Sequence, residues 1–325
     1  MKCLVTGAAG FIGSHLCEEL VSRGHKVTAF VHYNSRNDIG NLRYLPEKTL
    51  SRISVVKGDV QDPFSVESAV RGQECVYHLA ALIGIPYSYV APGSYISTNV
   101  QGTLNVLEAV RKHKIKKMVH TSTSETYGSA QYTPMDEKHP LQGQSPYSAS
   151  KIGADQIAES YFRSFSTPVA TIRPFNTYGP RQSARAVIPT IISQLLMGIT
   201  DVKLGSAETV RDFNYVMDTV EGFIRVAESE KTAGKVLNVG SGKGQTIAET
   251  FGRIAKLIGC EARIVVQKER VRPSKSEVVR LLSDCSLAKK MIGYKPTWTF
   301  DQGLAATIDF IRDNMDQYNS KEYMI

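Results

Sequence analysis

Apolar residues along this chain come in two alternating patterns. Lys2 to Thr6 is a short apolar, β-branched run, and Ser14 to Arg23 then repeats its apolar positions at helical spacing before stopping at Gly24. The alternation recurs. His25 to Val31, Ile53 to Val56, Cys75 to Leu79, Lys117 to Thr121 and Val169 to Pro174 read as strands, while Asn99 opens an amphipathic helix to about His113 and another runs on from Tyr147. Strands alternating with helices predict an α/β fold with a doubly wound parallel sheet. After Arg181 the character changes. Ile188 to Met197, Thr246 to Gly259, Cys285 to Met291 and Gly303 to Met315 read as helices, and Asp218-Thr-Val-Glu221 has capping-box spacing ahead of a helix to Glu228. Lys203 to Gly205, Thr209 to Val216 and Lys235 to Val239 read as short strands. A nucleotide-binding domain is therefore expected over 1–174, with 213–227 returning to it, and a smaller α/β substrate-binding domain over 175–325.

The first strand-to-helix junction carries candidate chemistry. Gly7-Ala-Ala-Gly10-Phe11-Ile12-Gly13 stands between strand and helix, the context a Rossmann dinucleotide fingerprint needs. Gly7 permits the tight turn, Gly10 lets backbone approach a pyrophosphate, and Gly13 lets the helix pack close to the strand. The helix N-terminus then holds the phosphates. Such a site usually has an acid about 20 residues further on for the ribose. Here the chain reads His32-Tyr-Asn34-Ser35-Arg36, with no acid before Asp38. Either Asn34 and Ser35 bond a bare ribose, or Arg36 and Ser35 accept a 2′-phosphate, so NAD and NADP both fit. Asp59, followed by Val60, is placed either for an adenine amino group or as a helix cap. Leu79-Ala80-Ala81 is small enough for backbone to pass against a cofactor, and Asn99 is read as a cap that also helps fix the active-site helix.

Composition narrows the class. Of 325 residues 42% are hydrophobic and 22% charged, as in an ordinary globular protein, and no apolar run approaches a membrane span. The N-terminus enters a strand directly, leaving no room for a signal peptide, and Cys3, Cys17, Cys75, Cys260 and Cys285 lack C-x-x-C spacing. A cytoplasmic protein with reduced thiols and no metal site is expected. The net charge of +8 is dispersed; neither His113 to Lys117 nor Lys268 to Lys275 is interleaved with aromatics, which argues against a nucleic-acid partner.

Ser122-Thr123-Ser124-Glu125 ends the fifth strand, where doubly wound sheets place their ligands. Tyr147 and Lys151 stand four apart on one helix face. A cation beside a phenol favours phenolate, which would make Tyr147 a base near neutrality. Glu125 is a second base, and Thr123 and Ser124 add hydroxyls. Two bases of different chemistry point to a reaction that removes two different protons.

Gly7-x-x-Gly10-x-x-Gly13, His78-Leu-Ala-Ala81, Ser122-Thr-Ser-Glu-x-Tyr-Gly128, Tyr147-x-x-x-Lys151, Arg173-Pro-x-Asn176-x-Tyr-Gly-Pro180 and Arg211-Asp-Phe-x-Tyr-Val216 together resemble the extended short-chain dehydrogenase/reductase family over nearly the whole chain. Thr123-Ser124-Glu125 resembles the dehydratase set in its serine form, as in GDP-mannose 4,6-dehydratases. Gln144 to Asp155 and Arg181 to Pro189 look closest to retaining UDP-N-acetylglucosamine 4,6-dehydratases of the legionaminic-acid type pathway. The resemblance implies a tightly bound NAD or NADP, a UDP-sugar substrate and a homodimer joined through the Tyr147 helix and its neighbour. It further implies that Tyr147 takes the C4 hydroxyl proton as C4 is oxidised, with Lys151 lowering the tyrosine pKa and bonding the nicotinamide ribose and Thr123 near the C4 oxygen. Glu125 then removes the C5 proton, the C6 hydroxyl leaves, and hydride returns to C6, giving UDP-2-acetamido-2,6-dideoxy-xylo-hexos-4-ulose and water. Ser124 stands where the family usually has Asp. By the same resemblance, Asn176, Arg211 and Arg272 meet the substrate diphosphate, Val187, Ile188 and Lys203 lie at the base and ribose, and Glu277 takes ribose hydroxyls. Where the family often has Arg-Pro-Gly-Asp, this chain has Arg272-Pro-Ser-Lys275. Two rival readings stand beside this one: a UDP-sugar 4-epimerase or other sugar-nucleotide oxidoreductase, and a non-catalytic cofactor-sensing protein.

Overall fold

The computed structural model describes residues 1–267 and 276–318. Seven parallel strands form the main sheet: β1 (Lys2–Thr6), β2 (Lys26–His32), β3 (Ile53–Gly58), β4 (Cys75–His78), β5 (Lys117–Thr121), β6 (Val169–Pro174) and, much later in the chain, β10 (Val236–Val239), in the order β10-β6-β5-β4-β1-β2-β3. The strands read as apolar runs because helices cover both faces. Cys3 and Val5 on β1 pack with Leu16 and Leu20 of the helix Phe11–Ser22 and with Phe223 and Ile224 of the helix Val216–Glu228. Leu4, between them, faces the other way and packs with Val106 of the helix Gly102–Lys112, Val66 of the helix Pro63–Val70 and Ala158 of the helix Pro146–Phe165.

Residues 175 onward add smaller sheets. β9 (Val210–Tyr215) pairs antiparallel with β11 (Gly244–Thr246) and parallel with β7 (Asn176–Tyr178) and β13 (Arg280–Leu281). β8 (Asp201–Leu204) pairs with β12 (Arg263–Val266), the latter not legible in the sequence pattern.

Two expectations need correction. The return to the main sheet is not 213–227: Phe213 to Tyr215 stay in β9, and the returning segment is the helix Val216–Glu228 followed by β10. β10 belongs there because its backbone pairs in parallel with fully buried β6, and its apolar Leu237 and Val239 are buried in the core beside that strand. The capping box at Asp218 is also absent. The helix starts at Val216, and the Asp218 carboxylate instead accepts from Thr297 N and Oγ1 at 2.8 and 2.9 Å and from Trp298 N at 3.2 Å. It thereby pins the connection before the helix Phe300–Asp313. Leaving those donors unpaired costs about 1–3 kcal/mol, so Asp218→Ala should lower unfolding stability by that amount, read from urea denaturation with an unchanged m-value.

Candidate active site

The strand order reverses between β1 and β4, since the chain runs β1 to β2 to β3 on one side and resumes at β4 on the other. A crevice opens outside the carboxyl ends at such a switch point. Here it is a cavity of about 1160 Å³. Gly7 sits at its base with φ +68°, and a Cβ there would lie 2.7 Å from Ala80 N and 2.8 Å from Leu79 C. Only glycine combines that left-handed backbone with that approach. Gly10 is the N-cap of the helix Phe11–Ser22 and supplies no side-chain cap, so the helix dipole faces the cleft. Gly7, Gly10, Phe11, Ile12 and Gly13 all line the cavity, as do Asp59, Val60, Leu79, Ala80 and Ala81. This cradle fits the diphosphate of a dinucleotide.

The loop after β2 departs from expectation. Asn34, Ser35 and Arg36 do not line the cleft, whereas His32 does. The Asn34 amide is consumed by its own turn, donating to Asp38 O at 2.8 Å and accepting from Asp38 N at 2.9 Å. Asp59 lies 3.4 Å from His32 Nε2 and accepts from Gln61 N; the cap of the following helix is Asp62. Asn99 is no cap either. It lies buried in a π-helical segment, Ile96–Gln101, and its side chain bonds Leu82 N and O at 2.9 and 3.0 Å and donates to Ser150 Oγ at 2.9 Å. It thus ties the cleft wall to the helix that carries Tyr147 and Lys151.

That helix begins at Pro146 behind a capping box of Ser145 and Ser148, which fixes its first turn and therefore Tyr147. Thr123 caps a short 3₁₀ turn, Ser124–Tyr127, accepting from Glu125 N at 3.3 Å. Tyr127 anchors the turn from below by donating to buried Asn238 Oδ1 at 2.7 Å. Thr123, Ser124, Glu125, Tyr147 and Lys151 all line the cavity, so the structure brings together the five expected residues.

Their electrostatics differ from the simple expectation. Burial pushes the Tyr147 phenol well above its ordinary value; a hydrogen bond with Thr123 opposes this, while the Glu125 and Asp155 carboxylates add to it. Lys151 is not what governs the phenol in the protein alone. Burial instead brings the Lys151 ammonium down to about 8, against the pull of Asp155. Desolvation outweighs the cation–phenol attraction because both groups have left water.

At the other end, Asn176 lines the cleft, and its buried Oδ1 has no hydrogen-bond partner among the described residues. Arg211 and Glu277 lie outside the cavity lining and meet each other, Nη2 to Oε1 at 3.2 Å. Val187 and Ile188 do not line it; Ile188 is buried in the core with Val187 packed beside it. Lys203 is exposed on β8, and Arg272 falls outside the described residues. The sequence reading missed Arg43, Tyr44, Arg181, Gln182, Gln317 and Tyr318, all of which line the cleft. Tyr318 donates to Gln182 O at 2.8 Å and Arg43 to Gln317 Oε1 at 3.0 Å, which joins the end of the described chain to the dinucleotide side.

A glycine cradle at the switch point, sharing one cleft with a buried Tyr and Lys a turn apart, defines an extended short-chain dehydrogenase/reductase, an enzyme class that works on nucleotide sugars with a bound nicotinamide dinucleotide. Comparison with known proteins narrows this. Residues 4–307 match the model of the GDP-mannose 4,6 dehydratase family, and the chain belongs to that family. It is 35% identical to a dTDP-glucose 4,6-dehydratase of Actinoplanes sp. over 97% of this chain and 98% of that one. It is 34% identical to a UDP-N-acetyl-alpha-D-glucosaminuronate decarboxylase of Bacillus cytotoxicus over 96% and 98%. Among solved structures it resembles a dTDP-glucose 4,6-dehydratase from Streptomyces venezuelae with NAD bound (TM-score 0.86, 29% identity, 98% and 99% covered). It also resembles a UDP-N-acetylglucosamine 4-epimerase from Methanobrevibacter ruminantium (TM-score 0.87, 30% identity, 97% and 99% covered).

The cradle gives a direct test. In Gly7→Ala the left-handed backbone costs about 1–3 kcal/mol and the methyl group overlaps Ala80. A lowered melting temperature and loss of nucleotide retained through purification are expected, read by calorimetry and by absorbance of the denatured supernatant.

Proposed function

We propose that this protein is a nucleotide-sugar 4,6-dehydratase that converts UDP-N-acetylglucosamine to the 4-keto-6-deoxy sugar nucleotide with loss of water. The observation that carries the reading is Glu125, a carboxylate in the same cavity as Tyr147 and close enough to raise its pKa. An epimerase needs one base at C4. A dehydratase needs a second at C5, and Glu125 is available for it.

When bound, an oxidised nicotinamide would supply the two-electron chemistry. Thr123, hydrogen-bonded to Tyr147, holds the phenol oxygen toward the C4 hydroxyl, whose proton Tyr147 takes. A ketone at C4 acidifies the C5 proton, which Glu125 removes. The C6 hydroxyl then needs a proton to leave. Buried Ser124 is too weak an acid to give one outright, so Glu125 returns the proton it has taken, directly or through Ser124 and water. The sugar, regaining at C6 the hydride it gave up at C4 and taking a proton at C5, ends as the 4-keto-6-deoxy product. We assign NAD as cofactor: the structural relatives named above include an NAD complex, and Arg36 and Ser35 lie outside the cleft. The mass of nucleotide released on denaturation distinguishes NAD from NADP. By family resemblance the protein is further proposed to be a homodimer, which light scattering would show.

The test is incubation with UDP-N-acetylglucosamine followed by mass spectrometry and proton NMR. Loss of one water with a new C6 methyl signal is expected, and a galacto-configured product of unchanged mass would make the protein an epimerase. Glu125→Gln should abolish water loss, by about 10²-fold or more for a general base, while Ser124→Ala keeps measurable turnover. Complete loss in the serine variant would overturn the single-acid route.

A further inference from the structure

Beneath the catalytic pair lies a set of buried polar side chains that the chemistry above does not use. Asp155 stands one turn beyond Lys151 and two beyond Tyr147 on the same face of the helix Pro146–Phe165. Its carboxylate is 4% exposed and has three partners. Ser122 Oγ donates to Oδ2 at 2.6 Å, Arg173 Nη2 donates to Oδ2 at 2.8 Å, and His120 Nε2 lies 3.0 Å from Oδ1. Arg173 Nε also donates to Ser122 Oγ at 3.2 Å. His120 Nδ1 has no partner among the described residues and burial lowers the ring's pKa, so the neutral ring carries its proton on Nε2 and donates it to Asp155.

These partners sit at the two strand ends that matter. His120 belongs to β5, Ser122 follows it, and the next residue is Thr123. Arg173 belongs to β6, three residues before Asn176. A single carboxylate thus joins the helix bearing Tyr147 and Lys151 to the strand end bearing Thr123, Ser124 and Glu125 and to the strand leading to the substrate side.

The charges around Lys151 give Asp155 a second effect. On its own helix Lys151 has Tyr147 and Asp155; His78 of β4 and His120 of β5 lie close enough to feel its charge, and Glu125 of the 3₁₀ turn lines the same cavity. His78 and His120 are neutral through burial. Arg173 is a permanent cation whose hydrogen-bonded anionic partner is Asp155.

We propose that Asp155 is a positioning residue for the Tyr147–Lys151 chemistry: it locks the helix Pro146–Phe165 to the ends of β5 and β6 and places a negative charge one helical turn from Lys151. This rests on the reading of Tyr147 and Lys151 as the redox pair, and the tests are chosen to separate the two claims. The variants are Asp155→Asn, which keeps shape and removes charge, and Ser122→Ala, which removes one tie and keeps the charge. Each is followed by kcat and KM against pH and by ¹³C NMR titration of labelled lysines, with Lys151→Met identifying the Lys151 signal.

For Asp155→Asn we expect kcat to fall at least about tenfold with KM nearly unchanged. The Lys151 titration and the basic limb of the kcat profile should both move to lower pH by about 1 unit or more, as expected for loss of an opposite charge one turn away. Ser122→Ala should lower kcat less and leave the Lys151 titration in place. Wild-type kcat and titration in Asp155→Asn would overturn the proposal, as would an equal titration shift in Ser122→Ala. Should Asp155→Asn not fold, an unchanged kcat in Ser122→Ala overturns the positioning role and a lowered one supports it. Should the wild type turn over no nucleotide sugar, the proposed function fails, and the Lys151 titration of the same variants still decides this inference.

Discussion

The close approach of Gly7 to the backbone of Leu79 and Ala80 is the constraint on which the site depends. β1 and β4 are neighbours whose following segments turn away to opposite sides, and the crevice is the space left between them. A side chain at residue 7 would push Ala80 into that space or tilt the helix Phe11–Ser22 off the sheet. Thr6 shows how tightly the junction is held: its Oγ1 accepts from both Leu79 N and Ala80 N at 3.1 Å and meets His78 Nδ1 at 2.8 Å. Strand pairing, glycine turn and cleft wall are therefore one construction.

A layer of buried polar groups continues from this junction. His78 reaches Thr103 Oγ1 at 3.1 Å, Thr103 donates to Asn99 O, and Asn99 donates to Ser150 on the catalytic helix. Buried polar groups that are fully paired in this way rigidify their surroundings, because breaking one leaves another unsatisfied in a low-dielectric interior. Glu125, Tyr147 and Lys151 stand on a polar floor with few alternative arrangements, which suits the proposed chemistry, in which two bases are held at fixed separation.

Much of this was legible in the sequence, for identifiable reasons. The main sheet's strands show as apolar runs because both faces are covered, and Gly7, Gly10 and Gly13 show because their conformational demands admit one residue type. Thr123 to Glu125 and Tyr147 with Lys151 lie at a strand end and at helical spacing, positions that local pattern locates. What failed was set by side chains meeting across the fold. Asn34 stands where one of two expected arrangements has a ribose contact, but its amide closes a turn onto Asp38. Asp218 has cap spacing, but its acceptors are taken by Thr297 and Trp298, about 80 residues away. Ile188 follows a loop expected to meet the substrate, yet helical period turns it into the core. Arg43, Arg181 and Tyr318 carry no local signature; only the packed chain puts them in one cleft.

The contribution of Gln317 and Tyr318 to that cleft has a consequence for how it can open. The wall near Arg43 and Gln182 is closed by residues that belong to no strand of the main sheet and are held there by two hydrogen bonds, Arg43 to Gln317 and Tyr318 to Gln182. Breaking those two bonds would turn that side of the cleft into a groove while the glycine cradle and the sheet beneath it stayed as they are. A dinucleotide held in the cradle would then have a way in or out that asks no strand to move.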